Sequence, residues 1–285
     1  MKLIIGASGA VGIPLIKQLV QRGEALRALS SSEGSAERLR ELGVQEVMVG
    51  DYRTDGVVEQ AMADVESACY VPARFVADEF EIGKRIVDAA KGASLEHFLF
   101  CSAFHPQLHE LSHHWQKLQV EEYLVDSDLL NTVVQPSMFM QNIRVEWSRI
   151  VEAGIYPRPY SPHSKMSVID TDDLAEAMAN IMTERKFQGA SYQLAGPGPI
   201  THAEMAAVIS EEIGKPVEAV HRDLNDWKSW AEGRGWTDYA ITNYIAMCTH
   251  YDQHGFKYGN TITLAAILGR EPIDYRAFVR KLVAQ

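Results

Sequence analysis

A chain of 285 residues, 46% hydrophobic and 23% charged, is long enough to bury a sizeable core and has the composition of a globular protein. Its formal net charge of −11 argues against a nucleic-acid surface, which needs a clustered positive field. The three cysteines, Cys69, Cys101 and Cys248, form no C-x-x-C pair, and with no leader-like or membrane-length apolar run they point to a cytoplasmic protein.

Lys2-Leu3-Ile4-Ile5 is an apolar run that stops at Gly6, as the first buried strand of a parallel sheet does. A turn through Gly6, Ala7, Ser8, Gly9, Ala10, Val11 and Gly12 follows. From Val11 to Arg22 the residues Val11, Leu15, Ile16, Leu19 and Val20 then share one helix face. Strand, glycine turn and helix in that order present free backbone N–H groups and a positive helix end, the arrangement that receives a pyrophosphate. Gly6 permits the tight turn, Gly9 the approach of phosphates and Gly12 the close packing of helix on strand.

Strands are expected at 25–30, 44–49, 68–71, 98–101 and 132–134, and helices at 35–42, 57–62, 79–91 and 109–125. This alternation predicts a parallel sheet with right-handed crossovers. A helix to about residue 153 comes next, followed by the proline-rich stretch Tyr156 to Pro162, which reads as irregular and as the exit from the first domain. A strand at 165–169, a helix at 171–182 and a strand at 191–194 suggest a return to the sheet. Thr201 and Glu204 form a capping box, and Asn260 and Asp274 are helix caps in a mainly helical remainder. The fold class is therefore α/β, a Rossmann doubly wound sheet at 1–153 with a smaller C-terminal substrate part at 154–285, of which about 164–195 rejoins the sheet.

Ligands of such sheets bind at the carboxyl ends of the strands. There the sequence offers Ser30, Ser31 and Ser32, with Arg27 inside the strand, whose hydroxyls suit a 2′-phosphate, a 2′-OH or an ordinary loop. Asp51, beside Tyr52, suits an adenine amino group or a turn. Val71, Pro72, Cys101, Ser102 and Pro136 close the remaining cofactor edge. Phe75, Phe104, His105, His113, Phe139, Met140, Asn142 and Trp227 are the candidate substrate residues. Trp227, however, belongs to a run of aromatics, Trp230, Trp236, Tyr239 and Tyr244 among them, whose helical spacing equally suits a core. His109-Glu110-Leu111-Ser112-His113 also matches H-E-x-x-H, a zinc-hydrolase pattern if it lies on a helix. It falls where this fold expects the cleft helix, so no metal is expected.

Taken together, Gly6 to Gly12, Gly50-Asp51, Cys101-Ser102, Lys117 with Val120-Glu121-Glu122-Tyr123, Gln135-Pro136 with Phe139-Met140-Gln141-Asn142, and Leu268-Gly269-Arg270-Glu271-Pro272 resemble the NmrA-like family. That family is an atypical branch of the short-chain dehydrogenase/reductases. The resemblance implies NADP(H) in preference to NAD(H) and reduction of a quinone, enone or related carbonyl compound. It also implies a regulator that binds the dinucleotide without turnover, and the missing Arg at Ser31 keeps open a third class, a redox-neutral cyclase, isomerase or lyase. By the same resemblance Lys117 contacts the nicotinamide ribose and Ser102 supports substrate or ribose. His113 stands where a conventional member has Tyr four residues before its Lys, which makes it the candidate acid. Ser31 stands where NADP-using members commonly carry Arg. The expected partner is a small apolar or aromatic molecule, with no nucleic acid or membrane, on a monomer or homodimer. A protein partner is expected only of a regulator.

Overall fold

In the computed structural model, which describes residues 1–285, the first 136 residues alternate short strands and helices in chain order. They are β1 (Lys2–Ile5), α1 (Gly12–Gln21), β2 (Leu26–Ser30), α2 (Glu33–Glu41), β3 (Glu46–Val49), α3 (Val57–Met62), β4 (Ser67–Tyr70), α4 (Glu79–Gly92), β5 (His97–Cys101), α5 (Ser112–Val125) and β6 (Asn131–Pro136). There follow β7 (Met138–Phe139), a 3₁₀ turn over Met140–Glu146, α6 (Trp147–Ala153), β8 (Ile155–Arg158), β9 (Lys165–Ile169), α7 (Thr171–Thr183), β10 (Ser191–Leu194), β11 (Pro199–Thr201), α8 (His202–Ile213), β12 (Glu218–His221), α9 (Leu224–Glu232), α10 (Asp238–His254), α11 (Ile262–Leu268) and α12 (Tyr275–Val283).

Seven strands form one sheet in the order β10-β6-β5-β4-β1-β2-β3, and the pairs linking β1 through β6 are parallel. β1 is interior to the sheet, so Leu3, Ile4 and Ile5 are fully buried, and α1 covers it with Leu15, Ile16 and Leu19. Burying each of these side chains contributes about 1.5–3 kcal/mol. Order reverses at β1, with β2 on one side and β4 on the other, which is the switch point that opens a crevice at the strand ends.

By contacts the chain divides into two units. The first holds residues 1–136, 171–193 and 267–269, and the second holds 137–170, 194–266 and 270–285. The stretch that rejoins the first unit carries α7, which packs on α1, and most of β10, the edge strand beside β6. The second unit holds a three-stranded sheet, β11-β9-β7, and a parallel pair, β12-β8.

Three expectations are corrected. The helix expected to run to residue 153 is broken into β7, the 3₁₀ turn and α6. The proline-rich stretch is partly regular: Ile155 to Arg158 pairs in parallel with Glu218 to His221, and a two-stranded sheet leaves a free edge that tolerates Pro157. Helix α5 begins at Ser112 and not at 109, because His109 and Glu110 form a turn ahead of it. The capping box is made in full, with the Glu204 N–H donating to Thr201 and the Thr201 N–H donating to Glu204. Asp274 caps α12 through the Ala277 N–H.

Helices α4 and α5 meet where Gly83 faces Val120, and a Cβ at residue 83 would overlap the Val120 side chain. Overpacking here outweighs the helix-propensity gain, so Gly83→Ala is expected to lower unfolding free energy by about 1–2 kcal/mol. Urea unfolding checks this, and adding Val120→Ala should give a double variant less destabilised than the sum of the two single changes.

Candidate functional site

The glycine turn is shaped by two close approaches. Gly6 has φ +86°, and a side chain there would collide with the Val71 carbonyl. One on Gly12 would meet the carbonyls of Gly6 and Ala7. The bend is held by the Gly9 N–H donating to the Gly6 carbonyl at 3.2 Å and the Ile13 N–H donating to the Gly9 carbonyl at 3.1 Å. Ser8, Gly9 and Ala10 are exposed, Ala7 and Val11 are buried, and α1 opens with no side-chain cap. An exposed bend without bulky side chains, leading into an uncapped helix, has the donors and the dipole to hold a diphosphate. The residues present fit a dinucleotide.

Around the bend, Val71 is brought onto Gly6, and its N–H extends the ladder by donating to the Ile5 carbonyl at 2.9 Å. Pro72 follows it, half-buried. Ser30 is buried and its hydroxyl donates to the Ser32 carbonyl, Ser32 caps α2 by accepting from the Ser35 N–H, and Ser31 is exposed at the strand end. Arg27 is not brought to this edge. It lies near the opposite end of β2, where its guanidinium bonds Glu46 and the carbonyls of Ala61 and Ala63, because strand alternation and position send it to the far rim. Asp51 accepts from the Arg53 guanidinium, which holds its carboxyl below the usual range. Tyr52 is half-buried against the main core.

The next part of the first unit is built on α5. Lys117 pairs with Glu79, the first residue of α4 and only 1% exposed. Burial raises the Glu79 carboxyl, while the Lys117 charge and hydrogen bond pull it back, and its Oε2 has no hydrogen-bond partner. One turn further along α5, Glu121 accepts from the Ser102 hydroxyl and, through both oxygens, from Gln135 Nε2 at 3.1 and 2.8 Å. Burial raises this carboxyl too. Cys101 is buried and its thiol is pushed up to about 12, so it supplies no thiolate. Pro136 is buried, and its carbonyl accepts from the Phe104 N–H at 3.0 Å.

The aromatic candidates of this unit gather in two pairs. The rings of Phe75 and His113 meet edge-on at 4.7 Å, and His105 lies 3.9 Å from Phe104. Phe75 and His105 both hold left-handed backbone, φ +56° and +53°. Such strain costs on the order of 1–3 kcal/mol and concentrates at functional sites. His113 also abuts His114, whose burial lowers it to about 4, so His114 stays neutral. The H-E-x-x-H stretch is not a helical pair, since only His113 lies on α5, and no cluster of three metal-ligating side chains is present.

In the second unit, Phe139, Met140 and Asn142 line one cavity with Tyr156, Arg158 and Tyr275. Trp227 is not part of it: its ring stacks on Tyr244 at 3.9 Å inside a cluster with Trp230 and Trp236, where helical spacing on α9 and α10 turns it into core. Glu79, Glu121 and Gln135 were not singled out from the sequence as site residues. The four-residue spacing of His113, Lys117 and Glu121 on one helix was a readable signal for Glu121, whereas Glu79 reaches Lys117 only through the packing of α4 on α5.

A carboxyl raised by burial adds stability below its unfolded-state pKa and loses that contribution as pH rises through the folded value. Glu121→Gln removes this dependence. Above about pH 4.5, the reference carboxyl value, unfolding free energy should shift in favour of the variant as pH rises, and denaturant titrations at mildly acidic and mildly alkaline pH measure it.

The chain matches the family model described as "NmrA-like family" over residues 2–256. It is 27% identical over 237 residues to the NAD(P)H azoreductase of Xenophilus azovorans, covering 82% of each chain. It is 22% identical over 271 residues to quinone oxidoreductase 2 of Escherichia coli, covering 94% of each. Its fold superposes on the crystal structure of the NADPH-dependent quinone oxidoreductase of Escherichia coli complexed with NADPH with a TM-score of 0.86, at 21% identity, covering 99% of this chain and 100% of the other. A match over nine-tenths of its length, on a sheet with the order and glycine turn described above, makes this chain a member of the NmrA-like family.

Proposed function

We propose that this protein is an NAD(P)H-dependent oxidoreductase that reduces a quinone, enone or related carbonyl compound. The observation that carries this reading is the turn from Gly6 to Gly12, closed to side chains at both ends and followed by the uncapped α1. The azoreductase and quinone oxidoreductase names of its relatives support the reaction class. The amides of residues 7–12 would hold the diphosphate, Ser30, Ser31 and Asp51 the adenosine side, and Val71, Pro72 and Lys117 the remainder. When bound, a reduced nicotinamide supplies a hydride.

The chain's own residues then bind, orient and manage charge. Lys117, fixed by its ion pair with Glu79, would contact the nicotinamide ribose in this reading. Ser102 bonds Glu121, which positions the hydroxyl at the end of β5. His113, edge-on to Phe75, is the candidate proton donor for enone and carbonyl substrates, and a quinone that accepts hydride directly needs no strong side-chain acid. NADPH is preferred over NADH in this reading, through the exposed Ser31 hydroxyl.

Calorimetric titration with NADPH and NADH, followed by loss of reduced-nicotinamide absorbance with a quinone panel, tests the whole. Binding with turnover is expected. Binding without turnover would make the protein a dinucleotide-sensing regulator, the reading that His113 in place of Tyr favours, and no binding would remove redox chemistry. Ser31→Arg is expected to raise the NADPH-to-NADH affinity ratio about ten-fold, or roughly 1.4 kcal/mol. His113→Ala should lower enone turnover by about 10²-fold and leave quinone turnover nearly unchanged. Equal enone rates would take His113 out of the mechanism.

A further inference from the structure

Arg158 ends β8 between Pro157 and Pro159, so its backbone is stiff on both sides. Its guanidinium uses a single nitrogen: Nη2 donates to the Asn142 carbonyl at 3.0 Å and to the Tyr156 hydroxyl at 3.2 Å. The Tyr156 ring centroid lies 4.8 Å from the guanidinium carbon. No carboxylate sits within ion-pair distance of the guanidinium, whose other polar neighbour is the Tyr160 phenol. Arginine stays charged at every working pH, and a cation enclosed without an anion is unfavourable.

The surroundings supply no anion either. Tyr156 and Tyr160 are buried at 3% and 4% exposure, and burial raises the Tyr160 phenol, so it stays neutral. His202, fully buried and edge-on to Tyr156 at 4.4 Å, has no hydrogen-bond partner on either ring nitrogen. Burial, and then the Arg158 charge, lower it to about 3, so it is a neutral ring. Tyr275 lines the same cavity as Arg158, with its Oη buried beside the Tyr156 hydroxyl. The other walls are apolar: Phe139, Met140, Val168 and Met205. The enclosed space is small, about that of a single water, and it opens to solvent. It therefore takes a small head group with the rest of the ligand outside.

We propose that this cavity is a carboxylate subsite. In it Arg158 is the counter-ion and Tyr275 Oη a second donor to a carboxylate borne on an apolar or aromatic stem. As a statement about the reductase substrate this rests on the function proposed above, and as a binding site it stands apart from it. Every component lies in the second unit, and none belongs to the glycine turn.

The test is calorimetric titration of the full chain with naphthoate and with the isosteric naphthamide. Naphthoate is expected to bind at least about ten-fold more tightly, the scale of a charge-assisted hydrogen bond. Arg158→Met should abolish that preference, and Tyr275→Phe should reduce naphthoate affinity several-fold while leaving naphthamide unchanged. Equal affinities, no saturable naphthoate binding by the unaltered chain, or a preference that survives Arg158→Met would each overturn the proposal. Should Arg158→Met fail to fold, the Arg Nε–H resonance of the unaltered protein decides, because it must shift with naphthoate and not with naphthamide. NADPH binding is followed separately: naphthoate binding without NADPH binding sinks the reductase reading and leaves the subsite, and the converse sinks only the subsite.

Discussion

The first unit depends on a backbone contact that excludes side chains. The chain leaves β1 at Gly6 in left-handed conformation, directly against the Val71 carbonyl that follows β4. Only glycine occupies that backbone region without strain and leaves room for the neighbouring carbonyl. Because of this the chain turns immediately, Gly12 packs against the bend, and α1 starts with no side-chain cap. The same contact couples the bend to the sheet, since the Val71 N–H extends the β1–β4 ladder past the last residue of β4. A change at Gly6 would therefore disturb the ladder and the glycine bend together.

Around α5 the unit buries two carboxylates that the bend does not require. Glu79 and Glu121 both sit where desolvation works against their charge, and each is met by one partner group, the Lys117 ammonium or the Ser102 and Gln135 donors. Buried ion pairs contribute little net stability, because the desolvation of two charges offsets their attraction. Their effect here is geometric. Lys117 is tied to the start of α4, and Ser102 is tied to the helix that carries Lys117, so the strand end and the helix face keep a fixed spacing. The left-handed residues Phe75 and His105 belong to the same unit, where local strain is sustained by burial of Phe75 and Phe104.

The second unit follows a different logic. Its sheets are short, and its chemistry is concentrated on aromatic rings around one half-buried cation. The two prolines flanking Arg158 fix a strand edge that needs no further ladder partner, and Tyr156 is oriented by both the guanidinium and the His202 ring. The tryptophans of α9 form a separate cluster that stabilises the helices and takes no part in the cavity.

By itself the sequence determined the first unit in most of its detail. Apolar β-branched runs, glycine punctuation and 3.6-residue periodicity are local signals, and they placed β1 through β6, the glycine bend and the return at 191–194 to within a few residues. His113 and Lys117, taken from the family resemblance, share α5 with Glu121 at four-residue spacing. What the tertiary structure alone decided involves partners distant in sequence or the two ends of one strand. Glu79 meets Lys117 across 38 positions. Arg27 is drawn to the far rim by Glu46 on the next strand, and the segment around Pro157 becomes a strand only because β12 arrives far later in the chain to pair with it. Strand pairing and charge pairing of this kind depend on which segments the core brings side by side. A local pattern carries no record of that choice.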